Sequence, residues 1–143
     1  IYNSNSRTQN CLMNLSKIKF TFEDSRGFIS DIIEQHNFNG ATIIFSKSGS
    51  IRGNHYHKES IQHIYVLEGK MISRSKKPKE ELVEVEISKG DLISHDYNEA
   101  HMFEAIEDTT FLVLSSGLRT GKDYEKDTFR LSCPIDKFEG DQK

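Results

Sequence analysis

The chain has 143 residues, 35% of them hydrophobic, and a formal net charge of −3. That is one domain's worth of sequence, long enough to bury a core without disulfide or metal staples. The charge offers no basic surface for nucleic acid or a membrane, and no apolar run approaches the roughly 20 residues a membrane helix needs.

Residues 1–12, IYNSNSRTQNCL, are polar and patternless, with no signal-peptide pattern. Met13 and the following NLSKIKFTF read as the start of the fold, so 1–12 are expected to be a disordered or non-native extension. Lys17–Phe22 then alternates polar and apolar with period two. Gly27–Ile33, Ala41–Ser46 and Gln62–Gly69 are rich in β-branched and aromatic residues, as are Glu81–Ile87, Gly90–His95 and Thr109–Ser116. Turn residues separate them: SRG, FNG, KSGS, EGK, SKGD and DYNE. The basic run Ser73–Lys79, with the acidic EEL behind it, reads as a solvated hairpin tip. No stretch holds a helical period for three turns. From Leu118 the chain is charged and less regular, and its middle, DYEKDTFRL, suits covering a sheet edge or reaching a partner. Residues 13–135 are expected to fold and 136–143 to be a disordered tail. Short strands at regular spacing with few or no helices predict an all-β antiparallel sandwich or barrel. An exposed sheet edge in so small a barrel predicts a homodimer. Cys11 and Cys133 lie toward the two ends with no CxxC spacing, which predicts free thiols in a reducing compartment, the cytoplasm.

The chemistry concentrates in IRGNHYHKESIQHIYVLEGKM, residues 51–71. His55 and His57, at i and i+2 on a strand, put both imidazoles on one face. Tyr56 between them faces the other way. Gln62, Ile64, Val66 and Glu68 share a face, which turns His63 and Tyr65 to the opposite one. Further on, in GDLISHDYNEAHMFEA, a turn at DYNE is followed by His101, opening a return strand beside Phe103. His36, His63 and His95 are set aside as surface or packing residues. Two chemistries fit what remains. Neutral imidazoles and an amide (His55, His57, Gln62, His101) can hold one divalent ion such as Zn, Fe, Mn or Ni, although without a carboxylate the ion's charge stays uncompensated. Alternatively His55 and His57 are catalytic acid–base groups, since imidazole titrates near neutral pH.

The spacing of these two blocks resembles the cupin pattern. Its first motif reads here as His55, His57, Gln62 and Gly69, with Gln62 where cupins usually carry Glu. Its second reads as Gly90, then Asp96–Asn98 in place of Pro-x-Gly, then His101. The resemblance covers roughly residues 43–115 and implies a cupin-type double-stranded β-helix, a jelly roll. A narrower resemblance is carried by Asp24, Arg26 and Gly27, by Arg52, Gly53, His55 and His57, by the Gln after the His pair, and by the segment Asp123–Phe129. It is similar to the cupin branch of dTDP-4-keto-sugar 3,5-epimerases, 3,4-ketoisomerases and the cupin half of capsule-synthesis reductases. That resemblance implies metal-free proton transfer beside a sugar ketone in bacterial surface-polysaccharide synthesis. It implies His55 or His57 as base, Arg52 as a diphosphate contact and Tyr124 as a substrate contact. The third histidine, His101, favours a metal-dependent cupin acting on a small acid: a dioxygenase, lyase or isomerase. Because cupin barrels host many functions, a non-catalytic ligand- or metal-binding module is the third reading.

Overall fold

The alternating segments become strands. A computed structural model describes residues 15–18, 21–34, 36–117 and 121–141. Within them lie β1 (Leu15–Lys17), β2 (Phe22–Asp24), β3 (Gly27–Ile29), β4 (Gly40–Ser46), β5 (Ile51–Tyr56) and β6 (Ile61–Glu68). These are followed by β7 (Lys70–Lys76), β8 (Val83–Ser88), β9 (Asp91–His95), β10 (Ala100–Ala105), β11 (Thr109–Ser116) and β12 (Phe129–Arg130). Short 3₁₀ turns cover Gly121–Asp127 and Ile135–Lys137. The expected extension at residues 1–12 lies outside the described residues. The strand expected over Gly27–Ile33 stops at Ile29, and beyond it the Asp31 amide donates to Thr21 Oγ1.

Two five-stranded antiparallel sheets, ordered β1-β9-β6-β11-β4 and β12-β5-β10-β7-β8, face each other, and β2-β3 forms a separate hairpin. This is the antiparallel sandwich that the strand pattern predicts, in the jelly-roll form that the resemblance implies. Period-two alternation puts Ile64 and Val66 of β6, Phe111 and Val113 of β11, and Met71, Ile87, Ile93 and Phe103 into one buried core. The corner between β6 and β7 requires glycine. Gly69 has φ of 94°, and a Cβ there would sit 2.4 Å from the Asp108 carbonyl oxygen. Asp24 and Arg26 pair with each other across the β2-β3 turn, the Arg26 Nη2 lying 2.6 Å from Asp24 Oδ2 on an exposed hairpin.

Two sequence expectations are corrected here. Ser73–Lys79 is not a solvated tip. β7 continues through Lys76, and only the turn near Lys77–Glu80 projects. Ser73 and Ser75 face inward, while Arg74 points out to Glu84 and Glu104. Lys76 can be buried because its Nζ donates to the Phe138 carbonyl (2.6 Å) and to Glu139 (2.8 Å).

The tail from 136 to 141 is likewise packed, not disordered, and 142–143 lie outside the described residues. Phe138 is 1% exposed in a second cluster with Tyr56, Ala100 and Ile135. Burying that ring contributes about 2–3 kcal/mol, enough to hold a short segment down. Tyr56 donates to Asp141 Oδ1 at 2.9 Å, and burial together with that carboxylate pushes its phenol up to about 12. No helix among the described residues is long and apolar enough to cross a membrane.

Candidate active site

The histidine block owes its geometry to a bulge. β5 pairs with β10 so that His55 lies opposite His101 and Gly53 opposite Met102, with a register shift between them. Gly53 and Asn54 absorb the shift with φ of 89° and 60°. A Cβ on Gly53 would stand 2.8 Å from the His101 carbonyl oxygen, so only glycine lets the strands approach this closely. Simple alternation would put Arg52 and His55 on opposite faces. With the extra residue, both line one cavity of about 250 Å³, together with Gln62, His101, Phe103 and Arg130.

Three histidines converge as the spacing predicts. Ring centroids are 4.8 Å apart for His55–His57, 4.8 Å for His55–His101 and 5.2 Å for His57–His101. The proton positions follow from the partners. His57 Nδ1 lies 2.7 Å from the Asp127 carbonyl oxygen and His101 Nδ1 lies 3.0 Å from that of Glu99. A carbonyl only accepts, so each Nδ1 carries the hydrogen, and in the neutral ring Nε2 keeps the lone pair. Burial first, and then His95, His55 and His57, hold His101 well below the ordinary imidazole range. It is therefore a neutral acceptor at physiological pH.

Asp127 is the anchor that the sequence reading passed over within DYEKDTF. Its carboxylate accepts from the Lys58 amide (2.9 Å), the Glu59 amide (3.0 Å) and the Ser60 hydroxyl (2.7 Å). One buried aspartate thus ties the end of the 3₁₀ turn to the loop behind β5, while its carbonyl orients His57. The Tyr124 side chain lies outside the described residues, although its backbone belongs to that same turn.

His95, set aside as a surface or packing histidine, is a packing one, and it packs directly behind the site. It is 1% exposed, and its ring stacks on that of His101 at 4.8 Å and 10°. β6 and β9 pair it directly with Gln62. The local clue was Ile93, a core residue two positions earlier on the same strand face. Behind it lies a buried carboxylate. Glu99 is buried, accepts from the Asp96 amide at 2.9 Å and lies 3.3 Å from His95 Nδ1. Burial pushes Glu99 up, but His95, the Asp96 amide and Ser75 outweigh it and hold the carboxyl below its usual range. The turn that carries it has Asn98 at φ 57°, the left-handed residue expected in DYNE. By contrast His63 lies on the other face of its strand, buried against His36 and Phe38 and apart from the cluster.

The rest of the pocket is polar at both ends. Gln62 is 3% exposed and its amide nitrogen has no hydrogen-bond partner among the described residues, nor has His95 Nε2 or His101 Nε2. At the mouth, Arg52 Nε donates to Ser46 Oγ (2.7 Å) and Nη2 to the Phe45 carbonyl (3.0 Å). Arg130 forms a two-pronged pair with Glu125 at 2.7 and 3.0 Å.

A divalent ion can be tested against this geometry. One ring nitrogen from each of His55, His57 and His101 lies within 4.8 Å of the others. Ligands on one ion at about 2.1 Å stand some 3.4 Å apart, so each nitrogen would move in by roughly 1 Å. Nδ1–H bonded to a backbone carbonyl is how metal-ligating histidines are usually oriented. The residues fit an ion.

Comparison with solved structures places the fold. One similar structure is a double variant of the sugar 3,4-ketoisomerase from Thermoanaerobacterium thermosaccharolyticum. It is 25% identical with a TM-score of 0.66, over 82% of this chain and 88% of that one. Another is the dTDP-6-deoxy-D-glucose-3,5-epimerase of Legionella pneumophila Philadelphia 1, 17% identical with a TM-score of 0.69, over 87% and 75% of the two chains. A third is the capsular polysaccharide assembling protein of Staphylococcus aureus, 20% identical with a TM-score of 0.59, over 82% of this chain but 35% of that one. No curated protein matches the sequence. The likenesses bear out the cupin-type jelly roll. A model of polysaccharide biosynthesis C-terminal domains matches residues 22–128, most of the chain, and this protein belongs to that family.

Proposed function

We propose that this protein acts on a nucleotide-linked keto-deoxysugar in surface-polysaccharide synthesis, moving a proton beside the sugar ketone as an isomerase or epimerase. The observation that carries the reading is the buried histidine cluster at one end of a cavity whose mouth holds two arginines. His55 lines the cavity and is the base: its imidazole takes the proton from the carbon next to the ketone and later returns one. His57 stands behind it, fixed by Asp127. As the proton leaves, its electron pair moves onto the ketone oxygen. The Gln62 amide is a donor available to that oxygen, in a buried setting where such a bond is worth most. Arg52, held by Ser46 and Phe45, meets the diphosphate. Two similar structures are complexes with dTDP-4-keto-L-rhamnose and with TDP-4-keto-6-deoxyglucose, which supports the substrate class. Incubation with dTDP-4-keto-6-deoxyglucose in D₂O should put deuterium on the ring, and His55→Ala and His57→Ala should each abolish it. No exchange across a panel of dTDP- and UDP-keto-sugars would count decisively against the reading.

A second reading is a metal-dependent cupin, supported by the inward-facing imidazoles and their carbonyl-bound Nδ1 atoms. His55, His57 and His101 would hold the ion, with Gln62 beside them. Bound there, a divalent ion would polarise a carbonyl oxygen. Elemental analysis of protein purified without a nickel column tests this: about one ion per chain, lost in His101→Ala, supports it.

The homodimer is part of the proposal too. β4 is a sheet edge carrying Ile43 and Phe45, 69% and 52% exposed, a surface suited to a second copy. Light scattering at a monomer mass would remove it.

A further inference from the structure

The cluster contains a buried carboxylate–imidazole pair that touches neither the cavity nor the substrate in the scheme above. Glu99 is 6% exposed and His95 1%, and neither lines the cavity. A carboxylate is buried at such cost that each of its bonds needs a reason. The Glu99 carboxylate takes the Asp96 amide at 2.9 Å, which closes the turn, and reaches the ring of His95 and the Ser75 hydroxyl. Ser75 lies directly opposite His101 across the β7–β10 pairing, so the carboxylate ties the turn to the neighbouring strand. The same residue's carbonyl meets His101 Nδ1. The turn is pinned from its other side by the Asn98 amide, which donates to the His57 carbonyl at 2.7 Å.

His101 is enclosed by rings: His55 at 85°, His57 at 40°, Phe103 at 49°, and His95 nearly parallel at 10°. The parallel ring is tethered by a carboxylate, its Nδ1–H facing Glu99. An apolar ring at position 95 could stack but could not be held in one plane by a carboxylate.

We propose that Glu99 and His95 are positioning residues for His101. The Glu99 carboxylate locks the Asp96–Glu99 turn, the Glu99 carbonyl then fixes hydrogen on His101 Nδ1, and the tethered His95 ring holds the imidazole flat with Nε2 toward the pocket. The activity arm of the test rests on the proposed keto-sugar reading, in which the His101 ring packs against the base His55 at 4.8 Å and so holds it in place; the tautomer arm does not.

The experiment is ¹⁵N–¹H correlation of the histidine side chains at one fixed neutral pH, alongside the deuterium-exchange assay. Wild type should show His101 as the Nδ1–H tautomer, and an Nε2–H form would overturn the proposal outright. Glu99→Ala should mix the tautomers and lower kcat by about 10- to 100-fold with KM changed less than about twofold, the scale seen when outer partners of site histidines are removed. Glu99→Gln keeps the side-chain length and one acceptor oxygen and should recover most of the loss. An unchanged tautomer and rate in Glu99→Ala overturns the idea, as does a Glu99→Gln no better than alanine, which would make charge and not position the cause. Should Glu99→Ala not fold, Ser75→Ala carries the same comparison with a smaller expected shift, and no shift at all counts against the proposal. Should wild type exchange no keto-sugar, the functional reading falls and the tautomer comparison still decides this one.

Discussion

Replacing Asp127 by alanine removes the acceptor of three hydrogen bonds at once: the amides of Lys58 and Glu59 and the hydroxyl of Ser60. Bonds to a charged group contribute about 1.5–3 kcal/mol each when a buried partner is stranded, and less where water can step in. Lys58 and Glu59 are partly or fully exposed, so their amides recover water; Ser60 is 1% exposed and does not. The expected loss is therefore about 2–4 kcal/mol, not the sum of three full bonds. For a chain of this size that lowers the melting temperature by about 5–15 °C. Asp127→Asn keeps one acceptor oxygen and should lose about half as much. The loop carrying His57 should loosen with it, because the carbonyl that orients His57 Nδ1 belongs to the same residue. Thermal unfolding followed by circular dichroism measures the first effect, and keto-sugar deuterium exchange measures the second. An Asp127→Ala protein melting within about 1 °C of wild type would show that the clamp contributes nothing and that the reasoning from buried acceptors is wrong here.

Gly53→Ala forces a side chain at φ 89° against the His101 carbonyl; it should cost at least about 1–3 kcal/mol in denaturant unfolding and cut exchange activity through His101. Phe138→Ala empties the second core cluster and should destabilise by about 3–5 kcal/mol, with limited proteolysis releasing the C-terminal segment first. Gln62→Glu puts a carboxylate beside His95 and His101 and should raise divalent-metal retention in elemental analysis; equal retention would mean that Gln62 does not face the ion. Stability should also depend on pH. His101 and His63 are held below the ordinary 6.5 by burial and neighbouring histidines. The unfolded chain thus binds more protons below that pH, so stability is full above about 6.5 and falls as pH drops through it. Melting curves from pH 8 to 5 should show this, and His101→Gln should flatten it.

The architecture and most of the cluster can be read from the residues alone. Period-two alternation decides which side of each strand is buried, and it needs no knowledge of the partner strand. That is why His55 and His57 share a face, why Gln62 runs with Ile64 and Val66, and why Asn98 could be read as the left-handed residue of its turn. What stands behind these side chains depends on segments remote in the chain. Asp127 meets His57 across 70 positions of chain, and Phe138 turns a polar tail into a packed one. His95 carried the clue of Ile93 on its own strand, but its meaning came from pairing with Gln62 and from the Glu99 turn. Alternation states a direction, whereas a hydrogen bond or a stacked ring needs a distance, and distances between remote segments exist only once the two sheets have closed.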